Sequence, residues 1–296
     1  MILGPTASGK TQVAVEIVKA LQGEIISADS RQVYRGMDIG TGKDLKEYGI
    51  VPYHLIDIVD PGHEFSVFEY QQRFYEAFRS IQARHRLPIM VGGTGLYIEA
   101  VIRGYDLPEV PENPSLRQEL AEQSREALAF RLWRLNPRLH NVTDLLDRNR
   151  LIRAIEIAEY RNRPHSSAPA VPQIDPAIFG IRWPRNILRQ RITERLRRRL
   201  KEGLVEEVRA LLKRGIPPET LEFYGLEYRF GLQYIQGKMN WNDMFQKLNS
   251  AIHRLAKRQE TWFRRMERQG IRIHWVEGGS KAASSILQIL GQGSLR

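Results

Sequence analysis

Gly4-Pro5-Thr6-Ala7-Ser8-Gly9-Lys10-Thr11 is the stretch that decides the fold. It reads GxxxxGKT. Ile2-Leu3 precede it, and Val13, Ala14, Ile17, Val18 and Leu21 follow at helical spacing. Strand, glycine loop and helix is the context in which this pattern binds phosphate. Its glycines let the backbone wrap an anion, and the loop amides and helix N-terminus supply partial positive charge. Lys10 adds a full charge, and the Thr11 hydroxyl is a candidate ligand for Mg²⁺. The loop residues Gly4, Pro5, Thr6, Ala7, Ser8, Gly9, Lys10 and Thr11 are therefore the expected diphosphate or nucleotide cradle. Only three residues precede Gly4, against about five or six in an ordinary strand. The first strand is stunted, or the natural chain starts upstream.

Outward from this loop, short apolar runs alternate with helical patterns. Residues 24–28, 54–59, 88–91, 179–183 and 271–276 read as strands, several of them apolar enough to be buried on both faces. Ser66 and Glu69 form a capping box, followed by Val67, Tyr70, Phe74, Phe78 and Ile81. This alternation predicts an α/β fold with a P-loop NTPase-like parallel sheet flanked by helices. Near Leu107 the pattern changes. Pro108, Pro111 and Pro114 break it, and only helical periodicity runs from Ser115 to about Arg161, including Leu145. A loose Pro/Ser/Ala stretch then leads back to strand. The expected organisation is a core of residues 1–110 and 172–296 with an all-helical insertion, residues 111–171. Ile192, Leu196, Leu200, Leu204 and Val208 make an apolar stripe through a basic segment. That segment, Arg182 to Arg214, holds twelve Lys/Arg against four Glu.

Composition removes several classes. The chain of 296 residues has no cysteine, and its seven histidines lack HExxH spacing, so thiol nucleophiles, iron–sulfur clusters and cysteine zinc sites are excluded. Its apolar runs fall short of the roughly 18–20 residues of a membrane span, and it opens with no signal-peptide pattern. No membrane association and a cytoplasmic location are expected. The net charge of +11 points to a polyanionic partner.

Further landmarks follow in order: Asp29-Ser30-Arg31-Gln32-Val33-Tyr34-Arg35-Gly36-Met37-Asp38-Ile39-Gly40-Thr41-Gly42-Lys43, then Val91-Gly92-Gly93-Thr94-Gly95-Leu96-Tyr97, then Lys257-Arg258-Gln259-Glu260-Thr261-Trp262-Phe263-Arg264. With the P-loop, they make the chain resemble the tRNA dimethylallyltransferases, also called tRNA isopentenyltransferases, from Gly4 to about Arg264. The resemblance implies transfer of a dimethylallyl group from dimethylallyl diphosphate to N6 of adenosine 37, beside the anticodon of tRNA, with release of diphosphate. It implies Mg²⁺, a tRNA anticodon stem-loop as partner, and a monomer. In that reading the P-loop grips the prenyl diphosphate. Lys10 acts with Asp29, the general base for the adenine amine, and Thr94 hydrogen-bonds that amine. Asp29, Ser30, Arg31, Gln32, Thr94, Asp147, Arg148, Asn149, Arg150, Leu151, Lys257, Arg258, Gln259, Trp262 and Arg264 fall in segments that the family uses on tRNA.

From residue types alone, Asp29 is equally a turn former and Thr94 equally a helix N-cap. Arg150, Arg153 and Arg209 are candidates for the leaving-group arginine. Where many bacterial relatives carry an IGYRQ-like run, this chain has Phe223-Tyr224-Gly225-Leu226-Glu227-Tyr228-Arg229-Phe230. The competing readings are a P-loop kinase for a small hydroxyl substrate, a relative that prenylates free adenylate, and a basic RNA-binding module switched by nucleotide.

Overall fold

The chain's alternating pattern builds a six-stranded parallel sheet in the order β3-β2-β4-β1-β5-β6. The structure is a computed structural model and describes residues 1–137, 148–162, 172 and 174–292. The strands are β1 (Ile2–Leu3), β2 (Gly23–Ala28), β3 (Tyr53–His54), β4 (Leu87–Gly92), β5 (Phe179–Arg182) and β6 (His274–Glu277). β2 is buried along its whole length, as a strand covered by helices on both faces must be. α1 (Lys10–Leu21) and α2 (Val67–Ala83) pack on β2 and β4, α3 (Gly95–Ile102) packs on α2, and α12 (Ala282–Gly291) packs on β6 and α1. Val13, Ala14, Ile17 and Val18 of α1 join Ile2, Ile25, Ile89, Phe179 and Ile286 in one core cluster.

Two units divide the chain: Met1–Tyr105 with Pro172–Arg296, and Asp106–Val171. The second contains α4 (Pro114–Ala121), α5 (Arg125–Leu135) and α6 (Arg148–Arg161). Its own core is built from Leu116, Leu120, Leu128, Leu132, Leu151 and Ile155. The first unit continues after β5 through α7 (Arg185–Lys201), α8 (Leu204–Lys213), α9 (Pro218–Phe223), α10 (Leu226–Ile235) and the long α11 (Trp241–Arg268). Leu188, Ile192 and Leu196 of α7 pack there with Leu248, Ile252 and Ala256 of α11.

Several expectations are corrected. The run 54–59 is not a strand beyond His54. Leu55 and Asp57 take left-handed backbone, with φ of 63° and 56°, because Asp57, Ile58 and Val59 turn to donate their amides to Gln32 and Val33 carbonyls. Its apolar residues Leu55 and Ile56 remain buried, which accounts for the strand-like pattern. β6 starts at His274 rather than 271, and β5 stops at Arg182. The Ile192–Val208 stripe is split between α7 and α8 at Gly203, φ 104°. Only half of the capping box forms: Ser66 accepts from the Glu69 amide at 3.1 Å, while the Glu69 carboxylate turns to His63, 2.7 Å away. Leu145 lies outside the described residues.

Candidate active site

Three loops leave the sheet at one edge. Leu3 of β1, Gly92 of β4 and Ala28 of β2 are in register, so Gly4, Gly93 and Asp29 step off the sheet side by side. Open α/β sheets place their sites at this carboxyl edge. β4 stands between β1 and β2. The strand that leads into Asp29 is therefore not directly beside the P-loop strand. At the usual spacing between strands, Asp29 is about 10 Å across from Gly4, with the Gly93-Thr94 turn between them.

Sequence dictates how close these loops come. A side chain at Gly92 would put its Cβ 2.2 Å from the Ala28 carbonyl oxygen, so only glycine allows β4 to hug β2 there. In the P-loop, Gly9 has φ 85°, a left-handed conformation that glycine tolerates. The first-turn N–H groups of α1 have no helical acceptor and remain available to an anion.

Lys10 sits half-buried at the start of α1, its Nζ 3.5 Å from the Pro5 carbonyl oxygen. Burial, partly offset by Asp29 and reinforced by Arg195 and Arg199, pushes its pKa from 10.5 down to about 8. Arg191 and Arg195, one helical turn apart on α7, reach the same loop. The Arg191 Nε donates to the Ala7 carbonyl at 2.9 Å, and Arg195 Nη1 lies 3.5 Å from the Thr6 hydroxyl. Trp183 donates its indole N–H to the Ser8 carbonyl at 2.9 Å and carries Arg191 over its ring at 4.5 Å. These two arginines are what the sequence reading missed. The signal was present: Arg191, Arg195 and Arg199 recur every four residues beside the buried Leu188, Ile192 and Leu196. Of the arginines singled out instead, Arg153 holds Glu156 and the Val110 carbonyl within the helical unit, Arg150 belongs to that unit too, and Arg209 is exposed on α8.

Asp29 is half-buried and accepts the Arg31 amide through Oδ1 at 2.9 Å. One carboxylate oxygen thus fixes the turn while the group keeps acceptor capacity on the other. Thr94 occupies the N-cap position of α3 but makes no side-chain cap bond. Its hydroxyl instead accepts the Ser30 amide at 3.0 Å, tying the two loops together. Gln32 accepts from Ser27 Oγ at 3.1 Å and donates to the Gly42 carbonyl at 3.2 Å, so its amide braces the loop from within. Arg31 lies over the exposed Phe223 ring at 5.2 Å.

Gln259 of α11 bridges the P-loop and the β4–α3 turn. Its Oε1 accepts the Thr6 amide at 2.9 Å, and its Nε2 donates to the Gly93 carbonyl at 3.0 Å. Gln259→Leu keeps the bulk but removes both bonds. At roughly 1 kcal/mol each, the loss should weaken diphosphate-donor binding by up to about thirtyfold, measured as a dissociation constant at fixed pH. Trp262 packs half-buried against Gly95 and under Arg265 at 4.2 Å, its indole N–H without a partner. Lys257, Arg258 and Arg264 are exposed along the same helix, whereas Phe263 is core. In the helical unit, Arg148 caps α4 through the Leu120 and Ala121 carbonyls. Asn149 is exposed, and Leu151 is fully buried in the unit's core, with no side-chain surface to offer a partner. Asp147 lies outside the described residues.

The donor set suits Mg²⁺ bound through a ligand. The Thr11 hydroxyl is a hard oxygen next to Lys10, and among the described residues no group of three His, Asp or Glu side chains gathers as a cage. A Mg²⁺ that takes its remaining ligands from phosphate oxygens and water fits that arrangement.

The chain is similar to proteins already known. A profile of the IPP transferase family matches residues 32–266, and one for isopentenyl transferases matches residues 1–48. The tRNA dimethylallyltransferase 1 of Geotalea uraniireducens is 64% identical over 293 residues, covering 98% of this chain and 96% of that protein. The tRNA dimethylallyltransferase 1 of Geotalea daltonii is 63% identical over 290 residues, 98% of this chain and 94% of that one. The crystal structure of the full-length tRNA isopentenylpyrophosphate transferase of Bacillus halodurans superposes with a TM-score of 0.72 at 34% identity, over 99% of this chain and 95% of that one. A eukaryotic dimethylallyltransferase acting on tRNA shares the fold, with a TM-score of 0.77 at 20% identity over 99% and 78% of the two chains.

Proposed function

The chain belongs to the tRNA dimethylallyltransferase family, a family of IPP transferases, and we propose that its P-loop holds dimethylallyl diphosphate while Asp29 takes the proton from the adenine amine of tRNA. The family's activity is transfer of a dimethylallyl group to N6 of the adenosine next to the anticodon. The observation that carries the residue-level reading is the register Leu3–Gly92–Ala28. It sets an anion cradle and a carboxylate on one edge, about 10 Å apart, which leaves room for a diphosphate, a five-carbon chain and an adenine amine in sequence.

The target base must leave its stack to enter such a site. Its exocyclic amine is a poor nucleophile and gains from a carboxylate that accepts the proton as the C–N bond forms. Thr94, anchored to Ser30, orients the amine from the other side. As the C–O bond breaks, charge grows on the diphosphate. Lys10, Arg195 and the P-loop amides meet that charge without reorganising. Mg²⁺ held by Thr11 would neutralise part of the diphosphate charge when bound. Exposed Lys257, Arg258 and Arg264 offer phosphate contacts to the RNA. Among the described residues no helix is long and apolar enough to cross a membrane. A monomer working on tRNA in the cytoplasm completes the proposal.

The test is incubation with dimethylallyl diphosphate and an unmodified anticodon stem-loop, followed by nucleoside mass spectrometry. Dimethylallyladenosine in the RNA supports the reading. ADP formed from ATP with no prenylated base, or free AMP serving as an equal acceptor, contradicts it.

The Lys10 environment adds a pH dependence. A bound diphosphate favours the charged lysine, so its pKa rises on binding. Below about pH 8 the free lysine already holds its proton and affinity is flat. Above pH 8, binding must take up a proton, and affinity falls by up to about tenfold per pH unit. Donor dissociation constants between pH 7 and 9.5 should show this fall in the native protein and not in Lys10→Ala.

A further inference from the structure

The loop Gly36–Lys43 has no regular structure, yet its carbonyls hold two of the site's side chains. The Gly42 carbonyl accepts both from Gln32 and from Arg195 Nη2, each at 3.2 Å, and the same Nη2 is ion-paired with the Asp44 carboxylate just after the loop. Arg195 is the guanidinium that reaches the P-loop through Thr6. The loop closes on itself: the Gly42 amide donates to the Ile39 carbonyl at 3.2 Å and the Lys43 amide to the Asp38 carbonyl at 3.1 Å. Three consecutive amides, those of Asp38, Ile39 and Gly40, therefore point away from the loop as a nest with no backbone acceptor. The carboxylate of Glu207, from α8, fills it. Oε2 accepts from Asp38 at 2.8 Å and Ile39 at 2.7 Å, and Oε1 accepts from Gly40 at 2.9 Å. The buried Tyr228 hydroxyl donates a fourth bond to Oε1 at 2.8 Å. Next to Tyr228, Glu227 pairs with the buried Arg199 at 3.5 Å, and Arg199 Nη1 lies 3.5 Å from the Gly40 carbonyl. The altered run Phe223–Phe230 thus turns Glu227 and Tyr228 inward, onto this loop.

We propose that Glu207 is a positioning residue for the transfer reaction: as an internal anion in the 38–40 nest, it sets the loop whose Gly42 carbonyl, together with Asp44, aims Arg195 at the diphosphate. The proposal rests on the reading of Arg195 as a diphosphate ligand. A bond to a charged group is at stake at each step, so losing the brace should raise the donor KM roughly tenfold and leave the tRNA KM unchanged. A brace that acts through Arg195 makes the two residues non-additive.

The experiment is a double-mutant cycle of Glu207→Ala and Arg195→Ala, read as donor KM and tRNA KM, with melting curves to establish folding. The expected result is a raised donor KM in each single variant and no further rise in the double. If the two effects multiply, Glu207 does not act through Arg195 and the inference is overturned, while the diphosphate reading stands. If Arg195→Ala leaves the donor KM unchanged, the diphosphate reading fails and the inference falls with it. Glu207→Gln keeps one acceptor oxygen and replaces Ala in the cycle if the alanine variant does not fold. If neither variant folds, the residue is structural and the inference is overturned.

Discussion

Asp29→Asn should cost roughly 10²- to 10⁴-fold in kcat, the range that a positioned general base supplies, and leave both substrates bound. The substitution suits the local geometry. Asparagine keeps a carbonyl oxygen at Oδ1, so the bond from the Arg31 amide survives and the turn into the 30–34 segment is unchanged. What disappears is the negative charge and the basic oxygen that takes the amine proton. Single-turnover rates with saturating donor and RNA measure the chemical step apart from binding. A rate within threefold of native would remove Asp29 as the base, and a large rise in the RNA dissociation constant would reassign it to RNA binding.

Lys10→Ala is the second large effect, and it acts at the opposite end of the reacting pair. A hydrogen bond to a charged group contributes roughly 1.5–3 kcal/mol, so donor affinity should fall about 10- to 150-fold. Because charge on the diphosphate grows as the C–O bond breaks, kcat should fall as well. Arg191 and Arg195 hold the loop through the Ala7 carbonyl and the Thr6 hydroxyl, so the cradle keeps its shape without the lysine. RNA affinity should be unaffected. An unaltered donor dissociation constant would argue that the cradle is not the diphosphate site.

The parts of the site that were legible in the sequence are those set by local chemistry. GxxxxGKT fixes a loop whatever surrounds it, whereas the demand for glycine at 92 comes from the contact with Ala28 on another strand. Asp29 and Thr94 follow from strand ends plus motif. The illegible parts depend on packing between distant segments. Arg191 and Arg195 meet the P-loop only because α7 is laid across it, a consequence of Leu188, Ile192 and Leu196 packing on α11. Gln259 falls in a recognisable motif, but its role as a bridge between Thr6 and Gly93 depends on where α11 crosses the sheet edge. Gln32 and Leu151 show the converse. Membership of a segment expected to face RNA does not say which way a side chain points, and these two point inward. Residues 54–59 misled because burial of Leu55 and Ile56 imitates a strand, while the backbone bends to serve the Gln32 and Val33 carbonyls.

The account's central claim is that one sheet edge presents a prenyl diphosphate to a carboxylate. A crystal structure with an unreactive thiolo analogue of dimethylallyl diphosphate tests it most directly. The account predicts diphosphate oxygens within about 3 Å of Lys10 and the P-loop amides, Arg195 turned toward them, and the five-carbon tail running past Thr94 toward Asp29. A diphosphate bound elsewhere, or a tail directed away from Asp29, would contradict it.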